Sequence, residues 1–291
     1  MPSTPQTQSI DSIVARQREF FREGSTRDLS FRLAALERME AKLVAKRDDL
    51  IAALRDDLGK PEAEAFLSEY YFLLEEVRLF LKELRKWSKP KRVGTPMYFL
   101  PARSEIWNEP YGVSLIIAPW NYPIQLALSP LLAAIAAGNT VVLKPSEMSS
   151  ASERWLVEFV SECFESEHVT TVSGGPEVST ALLDEKFDFI FFTGSTRIGK
   201  IVAEKAARHL TPTVLELGGK CPCVIDSTAN IELAAKRLMS GKFFNAGQTC
   251  FAPDFVVVHD SVKESFLEVC RTLFVQVPWR DELAAIINQE S

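Results

Sequence analysis

The sequence predicts an α/β protein built on a doubly wound parallel sheet. Helical periodicity dominates residues 1–88, and strand and helix patterns alternate regularly from Pro110 onward. The composition, with 46% hydrophobic and 25% charged residues, is that of an ordinary globular protein. Strands that alternate with helices are typical of parallel sheets covered on both faces. The 291 residues allow about two domains.

The first region carries a leucine stripe that fits one helix face. Its members are Leu29, Leu33, Leu36, Leu43, Leu50, Leu54 and Leu58. We expect this helix to end at Gly59, and a second helix to begin near Pro61 and extend to about Lys86. We interpret the stripe as core packing.

Residues 89–109 contain prolines, a glycine and two short β-prone pieces, which predict an exposed hairpin. The strands predicted after it are Val113–Ile117, Thr140–Leu143, His168–Val172, Phe187–Phe192 and Thr213–Leu217. The helices predicted between them are Ile124–Ala137, Ala151–Phe164 and Ile198–Ala207. A further unit has strands Pro222–Ile225 and Asp254–His259, with helices over Ile231–Phe244 and from Val262. Ligands of such sheets bind at the carboxyl ends of the strands.

Charge and cysteine usage exclude several classes of protein. The net charge of −6 argues against a nucleic-acid binder. The polar N-terminus has no targeting signal and no long apolar run is present, so we expect a cytoplasmic protein without a membrane segment. The five cysteines are scattered and none has zinc-site spacing, which argues against a disulfide framework and a metal.

Cys250 is the candidate nucleophile. It ends the segment 245–250 (NAGQTC), directly after a predicted helix. The glycine permits a tight backbone path, and a thiol on such a loop is accessible. A cysteine is nucleophilic as its thiolate. Judged by itself, however, a cysteine in such a loop is more often inert than catalytic.

Other polar residues follow predicted strands. Glu216 ends a strand predicted to be buried, where a carboxylate is costly unless it is functional or paired, and Lys220 offers a salt-bridge partner. Asn121 lies between two prolines, as an oriented amide or simply a turn residue. Lys144 and Glu147 end another strand and suit ribose hydroxyls. Residues 192–199 (FTGSTRIG) open a helix, and its N-terminal N–H groups form a natural phosphate site.

The ordered set PWNYP, KPSE, FTGSTRIG, ELGGK and GQTC resembles the aldehyde dehydrogenase superfamily. The sequences APWNYP, AAGNT and NAGQTC are most similar to those of the class 3, fatty-aldehyde branch. The resemblance extends over essentially the whole chain, and ELGGK with GQTC at this spacing is its most specific part.

The resemblance implies a role for each motif. Cys250 would attack an aldehyde to give a thiohemiacetal, and Asn121 would hold the oxyanion together with the Cys250 N–H. Glu216 would activate the water that hydrolyses the resulting thioester. The resemblance also implies an NAD cofactor, with NADP possible, and NAD is favoured because Glu147 would repel a 2′-phosphate. The implied cofactor-binding residues are Trp120, Lys144, Glu147, Gly194, Ser195, Gly199 and Leu217.

The same resemblance divides the chain. It implies a Rossmann-like cofactor domain over residues 1–88 and 110–218, a dimerisation hairpin at 89–109, and a partial catalytic domain at 219–291. Family members continue well beyond the neighbourhood of Cys250, through a later glutamate motif (EIFGP), so we expect a truncated chain. Two positions depart from the family pattern: Cys221 follows ELGGK and Phe251 follows the nucleophile, where smaller or aliphatic residues are usual.

Three functions are compatible with these observations. The first is NAD(P)-dependent oxidation of a small-molecule aldehyde, by a protein whose full-length relatives form homodimers. The second is a non-catalytic nucleotide-binding or interaction fragment that uses its hairpin to pair with a relative. The third is a cofactor-independent thiol esterase, because Cys250 beside an oxyanion donor needs no NAD to attack an activated ester.

Overall fold

The computed structural model describes residues 9–276 and 284–287. Its strands are β1 Lys91–Val93, β2 Ser104–Ile106, β3 Val113–Ile117, β4 Thr140–Lys144, β5 Val169–Thr171, β6 Phe189–Gly194, β7 Thr213–Leu217, β8 Cys221–Ile225 and β9 Pro253–Val258. Its helices are α1 Ile10–Glu23, α2 Leu29–Ala45, α3 Arg47–Leu58, α4 Glu62–Ala65, α5 Phe72–Trp87, α6 Gln125–Ala137, α7 Ser150–Cys163, α8 Pro176–Asp184, α9 Thr196–Ala207, α10 Ile231–Phe243 and α11 Asp260–Gln276.

The centre of the molecule is a five-stranded parallel sheet in the order β5-β4-β3-β6-β7. The chain enters at the middle strand β3, builds one half outward through β4 and β5, and returns to build the other half through β6 and β7. This order confirms the doubly wound α/β class. Ligand sites of such sheets lie where the strand order reverses, which here is between β3 and β6.

Helices cover both faces of this sheet, as predicted. On one face α2, α3, α5, α6 and α7 form the larger core with alternate strand residues such as Ile116 and Leu143. On the other face α1, α8 and α9 pack against the intervening residues, which include Leu115 and Val142. The period of two along each strand assigns neighbouring side chains to opposite cores.

The leucine stripe does not belong to one helix. The chain breaks at Lys46 (φ −103°, ψ 23°) into α2 and α3. The ammonium of Lys46 binds the carboxylates of Glu158 and Glu162 on α7, at 2.6 and 2.9 Å. A leucine pattern that continues in phase through a short break does not reveal the break. Helix α8, which begins at Pro176 directly after Gly175, was also absent from the predicted elements.

The helix that starts at Glu62 runs to Trp87 without interruption, but it contains a wider π-helical turn at Phe66–Tyr71 between α4 and α5. Such turns are rare and occur frequently at functional sites. Here the turn lies directly beneath the loops that carry the candidate site residues.

Residues 221–276 form a smaller α/β unit. Strands β8 and β9 pair in parallel, and α10 and α11 cover one face of the pair through Ile225, Ala235 and Phe266. Strands β1 and β2 form the predicted exposed hairpin, and its connecting residues Met97 to Leu100 project large apolar side chains into solvent. None of the helices in the described ranges is long and apolar enough to cross a membrane.

Candidate active site

The structure brings Asn121 and Cys250 to adjoining loops. The Asn121 turn (residues 119–123) follows the carboxyl end of β3, and the Cys250 loop (residues 244–250) follows α10. The Asn121 side-chain amide donates to the main-chain carbonyl of Gln248 at 3.0 Å. The hydroxyls of Tyr122 and Thr249 are also hydrogen-bonded, at 2.7 Å. Residues more than 120 positions apart therefore share one site.

The Cys250 loop has an unusual backbone. Asn245, Ala246 and Gly247 all have positive φ angles, of 53°, 54° and 78°. This conformation suits glycine, is tolerated by asparagine and is strained for alanine. Such strain persists only where surrounding contacts enforce it, and it is common at functional sites.

Side-chain contacts hold the strained loop in place. The buried Asn245 amide donates from Nδ2 to the carbonyl oxygens of Asn121 and Gln248, at 2.8 and 3.1 Å. The Asn245 main-chain N–H donates to the Glu64 carboxylate at 2.7 Å. The loop and the turn are thus bonded to each other and to the helix beneath them.

Cys250, the candidate nucleophile, is exposed, as a thiol that meets a substrate must be. Its carbonyl oxygen accepts a hydrogen bond from the Cys221 thiol at 3.3 Å. Both departures from the family pattern therefore adjoin Cys250, because Phe251 follows it in the chain and is 76% exposed.

Glu216 is at the predicted position near the end of its strand, but the predicted burial of that strand is wrong. Strand β7 is an edge strand of the sheet and is not buried, and Glu216 is exposed. The alternative that Lys220 pairs with Glu216 is also wrong, because the Lys220 ammonium binds the Asp254 carboxylate at 2.9 Å. The strand resembles a buried one because it contains the apolar residues Val214, Leu215 and Leu217. Within the described residues no sixth strand covers this edge of the sheet, and the sequence gives no sign of that.

The remaining candidates gather at the carboxyl edge of the sheet. Lys144 at the end of β4 lies beside Ile117 of β3, and Leu217 of β7 lies beside Gly194 of β6. The buried Lys144 ammonium is paired with the Glu147 carboxylate, which is partly exposed. Trp120 accepts a hydrogen bond on its carbonyl from Ser149 at 3.0 Å.

The start of α9 has the form of an anion site. Ser195 caps the helix by accepting the N–H of Ile198 at 3.3 Å, and the residue is exposed. Gly199 allows close approach of α9 to β7, because a Cβ there would lie 2.7 Å from a Leu217 methyl carbon. The N–H groups of Thr196 and Arg197, which precede the capped Ile198, have no partners within the helix and can donate to an anion.

Sequence inspection missed the charged residues beneath the site. Lys60 and Glu69 are fully buried and form an ion pair, and Glu64 is half-buried. Burial raises the pKa of the Glu64 carboxyl, and burial also raises the pKa of Tyr122 to about 12. Glu64 and Glu69 lie in a helix rich in exposed carboxylates, and Lys60 lies just before it. By sequence all three resemble solvent-exposed charges, and only the fold shows that they point inward.

Gln248 links the loop to a further segment. Its side-chain amide donates to the Ala285 carbonyl at 2.9 Å and accepts the Ile287 N–H at 3.0 Å. The Ala285 N–H in turn donates to the Leu58 carbonyl at 2.6 Å. Residues 284–287 therefore brace the Cys250 loop against α3.

Comparison with known proteins identifies the class to which this fold and site belong. The model of the aldehyde dehydrogenase family matches residues 3–288, so the chain belongs to the aldehyde dehydrogenase family. The 4,4'-diaponeurosporen-aldehyde dehydrogenase of Staphylococcus aureus is 44% identical over 248 residues, which are 85% of this chain and 54% of that protein. Aldehyde dehydrogenase family 3 member B1 of Mus musculus is 44% identical over 287 residues, which are 97% of this chain and 61% of that protein.

Solved structures agree. The substrate-bound state of Staphylococcus aureus AldH superposes with a TM-score of 0.95 at 39% identity, and the match covers 98% of this chain and 63% of that one. Betaine aldehyde dehydrogenase from the same species, solved in complex with NAD+, gives a TM-score of 0.87 at 26% identity and covers 97% and 57%. The chain thus spans less than two thirds of each of these relatives.

Proposed function

We propose that this chain carries the cysteine-dependent aldehyde oxidation site of its family, with Cys250 as nucleophile. The observation that supports this most directly is the contact between the Asn121 turn and the Cys250 loop. The Asn121 amide bonds the carbonyl of Gln248, two residues before the exposed thiol. One amide hydrogen of Asn121 is used in this bond and the second remains to donate to a substrate oxygen.

The proposed chemistry follows from these positions. The Cys250 thiolate adds to the aldehyde carbon, and the carbonyl oxygen becomes an oxyanion that accepts from the Asn121 amide and the Cys250 N–H. Loss of hydride from the thiohemiacetal leaves a thioester on Cys250. Glu216, exposed on the edge strand β7, removes a proton from the water that hydrolyses this thioester to the acid.

The carboxyl edge of the sheet fits a nicotinamide dinucleotide. The Lys144 and Glu147 pair offers both a donor and an acceptor to ribose hydroxyls, and the first turn of α9 offers N–H groups to phosphates. Bound there, NAD(P) supplies the hydride acceptor. We propose that residues 1–88 and 110–218 form the cofactor-binding domain, and that NAD is preferred because the Glu147 carboxylate disfavours a 2′-phosphate.

The first test is NADH formation by the purified chain with hexanal and NAD, beside a Cys250→Ala variant. NADH production that disappears in the variant is the expected result. The matched control is Cys163→Ala, because Cys163 is buried in α7, where burial raises its thiol pKa to about 12 and leaves it inert. Equal rates for the parent and Cys250→Ala would contradict the assignment.

A second candidate function is assembly with another chain through the hairpin. The hairpin residues Met97 and Tyr98 are more than 80% exposed, and Trp107 is also largely exposed. Contiguous exposed apolar side chains of this size are typical of protein–protein contacts. We propose a second copy of this chain as the partner, in line with the family's dimerisation hairpin.

A further inference from the structure

Beneath the candidate active site lie three charged side chains that the proposed chemistry does not use, one just before the helix that starts at Glu62 and two on it. They are Lys60, Glu64 and Glu69, which we call the charged clamp. Lys60 and Glu69 have no exposed surface and are paired. Removing two opposite charges from water is costly, and an apolar pair would often be as stable. Their contacts show what the charges do.

Glu69 holds the Asn121 turn from below. While one carboxylate oxygen binds Lys60, the other accepts the main-chain N–H groups of Ile124 and Gln125, both at 3.0 Å. These N–H groups open α6 directly after the turn, and they have no partners within the helix. The carboxylate therefore fixes the point at which the turn becomes a helix.

Lys60 contacts the same turn from the side. Its ammonium lies 4.1 Å from the centre of the Tyr122 ring, within cation–π distance. The Tyr122 hydroxyl in turn reaches Thr249, the residue before Cys250. Two contacts thus connect the buried pair to the residue that precedes the nucleophile.

Glu64 holds the other loop. Its carboxylate accepts the N–H of Asn245 at 2.7 Å, at the first residue of the left-handed segment. Lys60 is also close enough to favour the ionised form of Glu64, against the burial that raises its pKa. One lysine therefore faces both carboxylates.

The π-helical turn explains how both carboxylates reach the site. Glu64 and Glu69 are five positions apart, which in an α-helix corresponds to about 140° around the axis. The turn at Phe66–Tyr71 begins after Glu64 and contains Glu69, and it is wider, so each of its residues advances less around the axis. Both side chains then point toward the Asn121 turn and the Cys250 loop.

We propose that Lys60, Glu64 and Glu69 are positioning residues that hold the Asn121 amide and the Cys250 thiol in the relative position that the reaction requires. The inference rests on the proposed function, since this relative position affects the rate only where Asn121 donates to the oxyanion formed at Cys250. Displacements of about 1 Å in such a site can reduce rates about a hundredfold. The Asn121 turn and the Cys250 loop belong to separate elements, so a common support is needed to prevent such displacements.

The test compares variants that differ only in the hydrogen-bond acceptor. Glu64→Leu removes the acceptor for Asn245, whereas Glu64→Gln retains one. Lys60→Met with Glu69→Leu removes the acceptor for Ile124 and Gln125, whereas Lys60→Met with Glu69→Gln retains it. Neither double variant leaves a charge at the fully buried positions 60 and 69, so both are expected to fold. Glu62→Leu, an exposed carboxylate on the same helix, is the control.

Two measurements are made on each full chain whose fold is verified by its melting transition. Amide hydrogen exchange of peptides covering residues 121–126 and 245–250 reports loop stability. Acylation of Cys250 by nitrophenyl acetate, divided by its alkylation rate with iodoacetamide, reports oxyanion support, because alkylation forms no oxyanion. We expect the acceptor-deleted variants to exchange about tenfold faster in the loop concerned and to acylate about tenfold more slowly relative to alkylation.

The acceptor-retaining variants should recover most of both effects. Unchanged exchange in the acceptor-deleted variants would overturn the proposal, and so would faster exchange with an unchanged acylation ratio, because the clamp would then be structural only. If the parent shows no Cys250-dependent acylation, the proposed function fails instead. In that case the positioning role fails with it, and the exchange rates show only whether the charged clamp stabilises the two loops.

Discussion

The side-chain amide of Asn121 and the main-chain carbonyl of Gln248 are joined by a hydrogen bond of 3.0 Å. This bond connects the sheet that we assign to the cofactor with the loop that carries the thiol. It also fixes the plane of the amide, because one N–H is directed at Gln248 and the other must then point along a defined direction. The orientation of the proposed oxyanion donor is therefore set before any substrate binds.

We expect Asn121→Ala to lower the acylation of Cys250 by nitrophenyl acetate about 10²- to 10³-fold, the usual cost of deleting an oxyanion donor. Alkylation by iodoacetamide should be nearly unchanged. The control is Asn108→Ala, which also removes an amide that donates to a carbonyl, that of Trp87, but far from the site in the chain. Equal acylation by Asn121→Ala and the parent would remove Asn121 from the mechanism.

The sequence predicted the strands of the sheet well because they depend on local pattern. Strands β3, β4, β6 and β7 were each located to within about two residues, the usual uncertainty of element ends. The motifs PWNYP, KPSE, FTGSTRIG and ELGGK follow these strands in chain order, so their meeting at one edge follows from the parallel sheet.

The errors concern long-range relationships. The exposure of Glu216 depends on β7 being an edge strand, and the pairing of Lys220 depends on how β9 approaches β8. The burial of Lys60 and Glu69 depends on the start of α6 packing over them. None of these relationships has a local signature, because the residues concerned are ordinary surface types.

Glu147→Gln should shift cofactor preference toward NADP. The substitution removes the carboxylate that would face a 2′-phosphate and frees the buried Lys144 ammonium for it. We expect the ratio of NADP to NAD affinity to rise about tenfold, equivalent to about 1.4 kcal/mol. Equilibrium titration measures this without turnover.

The control for this titration is Glu165→Gln, which makes the same charge change at an exposed position before β5. It should leave the ratio unaltered. An unaltered ratio in Glu147→Gln as well would show that Glu147 does not contact the adenosine ribose.

We expect the exposed hairpin to form a contact between two copies of the chain, and charged side chains introduced there should disrupt it. Aspartates at Met97 and Tyr98 would bury two carboxylates in any contact made by these side chains, which is costly without partners. We expect the parent to elute as a dimer and the Met97→Asp, Tyr98→Asp variant as a monomer in size-exclusion chromatography with light scattering. Leu210→Asp, at another highly exposed apolar position, is the control and should remain dimeric.

His168 should make the fold sensitive to mild acid. Its imidazole is buried among Phe20, Phe31 and Phe164, and burial, aided by Arg38, lowers its pKa from 6.5 to about 4. The unfolded chain takes up this proton below pH 6.5 while the folded chain does not, so stability falls from pH 6.5 to about pH 4, by about 3 kcal/mol in total. His168→Leu should lose this component of the denaturant-midpoint profile, whereas His209→Leu, at an exposed position, should retain it. Identical profiles for the parent and His168→Leu would show that His168 titrates normally in the folded protein.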